Sequence, residues 1–377
     1  MIYFDNAASS FPKPYSVNRA VFDWLNKNGA NPGRSGHKMS MEASRLIFET
    51  RYLICDMFGA SEVENVAFVP NATYGLNFLI QGILKKGDHV VTTDLEHNSV
   101  LRPLNKLLPF GVSYSVATTN LYNDEVTVKN IISSIKANTK VVICTHCANV
   151  CGKILPIKKI SESLPKDVLL IVDGSQSAGI IPTNIQKLGI DYYCAPSHKG
   201  LLSPQGCGFV IVNNKLPNAV FSGGTGSDSF NLNQPDYMPD IFEMGTLPTP
   251  VIAGMFEGLK YINLIGIKNI FEKKRELTKK LYNSICELKN VETYLNVNST
   301  NAVSLVPFNI KGCDSETVAK YLSSNGIFVR SGFHCAPLYH KKMCTEKKGM
   351  VRISLGYFNT QKQINQLIKV LNNYKKL

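Results

Sequence analysis

The sequence predicts an α/β protein: a mostly parallel sheet covered by helices, with a smaller α+β part toward the C-terminus. Two observations predict it. Short apolar runs alternate with helical stretches over the first two thirds of the chain. Two of those runs also end on residues suited to chemistry, and open α/β sheets bind ligands at the carboxyl ends of their strands.

Taken in order, the first 40 residues are turn-rich, with Ser9-Ser-Phe-Pro-Lys-Pro14 and Asn28-Gly-Ala-Asn-Pro-Gly33. Met41 to Phe58 has helical periodicity and stops at Gly59. Val66 to Val69 is a short strand, and Asn71 caps a helix running to Gly82. Strands follow at His89–Thr93, Val141–Cys144, Val168–Val172, Ile190–Cys194 and Gly208–Val212. From Gly254 a long amphipathic helical stretch reaches about Leu288. Ala302 to Phe308 is strand-like, Ser315 to Ser324 is helical, and Thr360-Gln-Lys-Gln363 is a capping box opening the last helix. Residues 15–255 read as a large domain, and 1–14 with 256–377 as a small one.

The chain has 377 residues, 44% apolar and 18% charged, enough for a large domain with a smaller lobe and a sizeable core. No apolar run reaches a membrane span, and the N-terminus shows no secretory signal. Ten cysteines without regular spacing suit thiols in a reducing compartment, so a cytoplasmic protein is expected. The formal charge of +13 is dominated by lysines in 268–289 and 341–348. They read as solvated helix faces rather than a nucleic-acid site.

The chemistry starts at two strand ends. Val168 to Val172 delivers Asp173, and Ile190 to Cys194 leads to His198 and Lys199. An Asp there is commonly a helix cap and a Lys commonly solvated. Together, a Lys and an acid converging at a sheet edge suit pyridoxal phosphate, which takes a Lys for its Schiff base and an acid for its pyridine nitrogen. Asn71 leaves the N–H groups of Ala72 and Thr73 at a helix start, a place for an anion.

The chain resembles the cysteine desulfurases, within the class V aminotransferase-like, fold type I pyridoxal phosphate enzymes. The motifs run nearly end to end: Tyr3-Phe-Asp-Asn-Ala-Ala8, Asn71-Ala-Thr73, Glu96-His-Asn98, His146-Cys-Ala-Asn149, Val172-Asp-Gly-Ser-Gln176, Ser197-His-Lys199, Gly245-Thr-Leu-Pro248, Arg330-Ser-Gly-Phe-His-Cys335 and Arg352. The resemblance implies a large domain with a seven-stranded-type sheet and a small domain carrying a catalytic cysteine loop. It implies that Lys199 carries the cofactor, that Asp173 pairs with the pyridinium, and that Gln176 and Asn149 lie by the ring oxygen. His97 would stack on the ring and move protons. Ala72, Thr73, Ser197 and His198 would hold the phosphate, with Thr246 supplied across a homodimer. Arg352 would clamp the substrate carboxylate, beside Asn149.

Cys335 decides the reaction. A desulfurase needs a thiolate to take sulfur from cysteine, leaving alanine and an enzyme persulfide for a sulfur-acceptor protein, as in iron–sulfur cluster assembly. Arg330, His334, Lys341 and Lys342 make the segment basic, and Gly332 and Pro337 make it a loop, which suits a nucleophile better than an inert buried thiol. The short Arg-to-Cys segment resembles the group of desulfurases with a compact catalytic loop. Two departures stand out: Pro196 replaces the usual Ser or Thr three residues before the Lys, so Ser197 would have to substitute, and Phe333 replaces the first of two His. A selenocysteine lyase on the same scaffold, and a class V aminotransferase or lyase with a structural Cys335, stay open. Cys144-Thr-His-Cys147 with Cys151, and His334, Cys335, His340 and Cys344, mimic metal spacings, but no second CxxC pair exists and zinc would occupy the nucleophile, so no metal is expected.

Overall fold

The computed structural model describes residues 1–33 and 35–374. Twelve strands and eleven α-helices alternate along them. The strands are β1 (Ile2–Tyr3), β2 (Val66–Val69), β3 (His89–Thr93), β4 (Ser113–Ala117), β5 (Thr139–Thr145), β6 (Leu169–Asp173), β7 (Tyr192–Pro196), β8 (Gly208–Val212), β9 (Val291–Thr293), β10 (Leu305–Ile310), β11 (Ile327–Phe328) and β12 (Val351–Ser354). The helices are α1 (Tyr15–Lys27), α2 (Lys38–Phe58), α3 (Ala72–Ile83), α4 (Asn98–Leu107), α5 (Asp124–Ser133), α6 (Ile157–Ser163), α7 (Thr249–Ile265), α8 (Ile267–Cys286), α9 (Ser315–Ser324), α10 (Pro337–Lys342) and α11 (Gln361–Asn372).

The main sheet has seven strands in the order β2-β8-β7-β6-β5-β3-β4. The pairs from β4 to β7 are parallel, and β8 runs antiparallel to both its neighbours. Every residue of β2, β3, β7 and β8 is buried. Helices cover both faces, so these strands are buried throughout rather than alternating between core and solvent, as a doubly covered sheet requires. The expected α/β architecture is therefore present.

A three-stranded antiparallel sheet, β12-β10-β9, gathers a second core around Phe308, Leu281 and Leu367. The N-terminus joins it: β1 pairs with β11, and Asp5 bridges to Ser354. That return brings the first residues beside Lys199, where the Ser10 N–H donates to the His198 carbonyl at 3.0 Å.

Local signals mostly act as the sequence predicts. Gly59 ends α2 with φ 64°, a left-handed turn that only glycine adopts cheaply. The Asn71 side chain accepts the Tyr74 N–H at 2.9 Å and starts α3. Thr360 and Gln363 form their capping box. Three expectations need correction. The turn-rich first 40 residues contain α1, thirteen residues long. The stretch from Gly254 to Leu288 is two helices, broken at Gly266 with φ 85°. The edge strand β4 was not expected, because Ser-Tyr-Ser-Val-Ala faces solvent on several positions and lacks an apolar run.

Candidate active site

A cleft of about 90 Å³ opens where β5, β6 and β7 end and where α3 and α4 begin. Thr73, His97, Asn149, Asp173, Gln176, His198 and Lys199 all line it. Each reaches it for a local reason. Asp173 is the last residue of β6, and Lys199 lies three residues beyond the end of β7. The parallel register sets Asp173 opposite Cys194 and thereby brings the two strand ends side by side. Ala72 and Thr73 are the first residues of α3, and His97 is the N-cap of α4.

The electrostatics follow from burial. Burial pulls the Lys199 amine down to about 8, with Arg352 and Arg330 pushing the same way and Asp173 and Asp5 opposing. Roughly a tenth of Lys199 is then free amine at pH 7, and so nucleophilic, far more than an unburied lysine offers. Burial also pulls the His97 imidazole down to about 4, although Asp173 opposes it. His97 is therefore neutral at pH 7. Its Nδ1 accepts the Ser99 N–H at 3.0 Å, so the ring proton sits on Nε2. The Ser99 hydroxyl ties this histidine to the start of α3, lying 2.8 Å from His97 Nδ1 and 2.7 Å from the Thr73 hydroxyl.

One end of the cleft is built for an anion. The N–H groups of Ala72 and Thr73 open α3 with the positive end of its dipole. His198 Nδ1 is buried there without a partner. Ser197 does not contribute its hydroxyl, which is turned to the Cys207 carbonyl at 2.8 Å and the Pro204 carbonyl at 3.2 Å. Pro196 lines the cleft in its place. The Gln176 amide donates to the Ala7 carbonyl at 2.9 Å, fixing the side chain over the cleft.

The 330–335 loop lies beside the cleft, bonded to the start of α4 and to Asn149. Gly332, His334 and Cys335 have φ of 94°, 49° and 55°. Three bonds hold this unusual path. The Asn98 N–H donates to the Cys335 carbonyl at 2.8 Å, the Asn149 amide donates to the His334 carbonyl at 2.6 Å, and the Met350 N–H donates to the Gly332 carbonyl at 3.0 Å. Cys335 thus hangs one residue from His97 and stays partly exposed. Phe333 is exposed and packs edge-on against His340. Arg352 is buried, donating to the Asn149 carbonyl and to Asp5, each at 2.8 Å, and its Nε has no partner. Thr246 is apart from the cleft, exposed beside Asn31.

Ser99, Asn98 and Asp5 are the working residues that sequence reasoning did not single out. The spacing His97-Asn-Ser99 was a usable signal, since a cap needs a donor two residues on. Cys144, Cys147 and Cys151 are buried, and burial raises each thiol. Among the described residues no cluster of three His, Cys, Asp or Glu could hold a metal ion.

The profile of the family Aminotransferase class-V matches residues 2–367. Fold and cleft together thus define an enzyme of that class, whose cofactor is pyridoxal phosphate. The residues present fit that group: a buried amine, an acid, and an anion cradle with an unpartnered imidazole nitrogen. Full-length relatives narrow the class. A probable cysteine desulfurase of Methanothermobacter thermautotrophicus is 32% identical, the alignment covering 98% of this chain and 94% of the relative. One from Borreliella burgdorferi is 31% identical over 98% and 90%. An apo cysteine desulfurase structure from Thermococcus onnurineus NA1 superposes with a TM-score of 0.91 at 29% identity, covering all of this chain and 95% of that one. The chain belongs to the cysteine desulfurase family.

Proposed function

We propose that the protein converts L-cysteine to L-alanine and retains the sulfur as a persulfide on Cys335. One observation carries this reading: the carbonyl of the partly exposed Cys335 is held by the first N–H of α4, next to His97, which lines the cleft together with Lys199. Pyridoxal phosphate, bound through Lys199, supplies an electron sink for the substrate's α-carbon. Asp173 provides the negative charge that keeps its ring nitrogen protonated, and Ala72, Thr73 and His198 hold its phosphate. His97, protonated on Nε2, would face the bound cofactor from the wall of the cleft and could exchange protons at that atom.

Arg352 and the neighbouring Arg330 give the cleft the positive charge that an amino-acid carboxylate needs. The Cys335 thiolate attacks the substrate's sulfur. The substrate C–S bond breaks, the S–S bond forms, and the electron pair left on the substrate carbon is protonated to give alanine. The persulfide then passes to an acceptor.

Further features support a wider reading. The exposed Thr246 and the exposed Met41, Phe48 and Tyr52 of α2 suit a homodimer in which each chain completes its partner's cradle. Residues 15–255 would act as the large domain, and 1–14 with 256–377 as the small one that carries the loop. Ten unpaired cysteines suit the cytoplasm. Among the described residues no helix is long and apolar enough to cross a membrane.

The test is product analysis with L-cysteine. Alanine and reductant-released sulfide should appear in equal amounts. Pyruvate in place of alanine, or no turnover, would overturn the reading.

A further inference from the structure

Among the described residues four Lys and Arg side chains are buried: Arg51, Lys153, Lys274 and Arg352. Three have an acid. Arg51 pairs with Glu243 at 2.8 Å, Lys153 with Asp124 at 2.7 Å and Arg352 with Asp5 at 2.8 Å. Lys274 is the exception. It lies 4% exposed on the core-facing stripe of α8, among Ile270, Leu277 and Thr278. Among the described residues no carboxylate pairs with it and no hydrogen bond engages its ammonium. A buried ion without a partner is costly, so an unpaired one signals a missing counter-ion or a neutral group.

Lys274 lines a narrow pocket of about 20 Å³, with room for a single water-sized occupant. Ser304 lines the same cavity and is also 4% exposed. Its backbone takes φ 71°, its N–H donates to the Thr278 hydroxyl at 2.8 Å, and its own hydroxyl has no partner. The cavity therefore offers a cation and a hydroxyl donor, both unsatisfied. The Cys147 thiol acts on Lys274, but burial keeps that thiol protonated.

We propose that this cavity binds one small monovalent anion of the halide class, held between the Lys274 ammonium and the Ser304 hydroxyl. Size selects the class: the space excludes phosphate and carboxylates. Charge selects the sign. Burial lowers Lys274 only to about 8, so the amine is mostly protonated at neutral pH and needs a counter-ion. Gln176, Gly179 and Lys199 form the other side of the cavity. The anion would therefore join α8 and the Ser304 turn to the underside of the cofactor cleft, and it would stabilise that contact. The inference stands apart from the reaction assigned above.

The test is thermal melting of the holoenzyme at neutral pH in sodium bromide, against sodium gluconate at equal ionic strength. Bromide should raise the melting temperature by about 2 °C at tenfold excess over its Kd. Lys274→Met should remove that increment while keeping cofactor and cysteine turnover. Ser304→Ala should raise the bromide concentration at half-effect by roughly fivefold, the loss of one hydrogen bond. No bromide increment in the wild type, or an equal one in Lys274→Met, would overturn the proposal. If Lys274→Met does not fold, wild-type crystals grown in bromide decide instead. An anomalous peak within hydrogen-bond distance of Lys274 Nζ supports the site, and an empty cavity rejects it.

Discussion

Asp173 and Lys199 project from the ends of β6 and β7, in which all residues but one are buried. Cys335 sits instead in a loop where three of four consecutive residues have positive φ. The first wall is fixed by the sheet: strand register sets where each side chain emerges, and the covering helices leave it no freedom. The second wall is fixed by three hydrogen bonds from Asn98, Asn149 and Met350 to loop carbonyls. A strand-end wall suits groups that must hold a cofactor in one place. A bonded loop suits the thiol proposed to meet the substrate. Changes in the first wall should therefore abolish cofactor chemistry, and changes in the second should spare the cofactor and lose sulfur transfer.

The largest effect tests the first wall. Lys199→Ala should remove the cofactor's visible absorbance band and lower alanine formation by about 10⁴-fold or more, as loss of a covalent catalyst does. If the variant still holds borohydride-reducible cofactor on the chain, Lys199 is not the attachment point.

Cys335→Ser tests the second wall at its chemical centre. The absorbance band and its response to cysteine should be kept, because neither uses the thiol. Alanine formation should fall by about 10²–10³-fold. Full activity on L-cysteine would show that sulfur leaves by another route and would erase the division of labour between the walls.

Gly332→Ala probes the loop's path rather than its chemistry. A Cβ there meets nothing within 4 Å, so its only penalty is the backbone at φ 94°. That strain costs about 1–2 kcal/mol. The loop should shift, lowering turnover by roughly tenfold while the absorbance band stays unchanged. An altered band would mean that the two walls are coupled more tightly than the bonds described here imply.

The same contrast explains what was legible in the sequence. Asp173 and Lys199 can be read because a short apolar run announces a buried strand and its end announces the site. Gly59, Asn71 and Thr360 can be read because a cap is a local bond. Asn98 and Asn149 as supports of the Cys335 loop cannot, since each contact joins residues far apart in sequence. Ser197 shows the limit of substitution by proximity: it stands next to Pro196, yet its hydroxyl is drawn away by two carbonyls of the 204–207 turn. The break at Gly266 was hidden because the apolar stripe continues on both sides of it.

The smallest effect on turnover belongs to Glu96, buried under the first wall. Its Oε1 accepts the Thr93 hydroxyl at 2.6 Å and the Thr145 N–H at 3.0 Å, while Oε2 is buried without a partner. Burial raises this carboxyl from 4.5 to about 8, overcoming both hydrogen bonds, with Asp173 and Asp94 adding to the rise. The folded state therefore binds a proton that the unfolded state releases above 4.5. Its contribution to stability is full below 4.5 and is lost as pH rises toward 8 and beyond, by at most about 1.4 kcal/mol per pH unit. Glu96→Gln keeps the accepting oxygen and cannot ionise. Its turnover should stay within about twofold of wild type, and its urea midpoint should decline less between pH 6 and 8. The buried histidines act on the other side: His97, His146 and His198 sit near 4, so their contribution is lost as pH falls from about 6.5 toward 4 and does not interfere above 6.5. Parallel urea midpoints in the two proteins from pH 6 to 8 would mean that Glu96 is ionised in the folded protein, and that the first wall tolerates a buried negative charge beside Asp173.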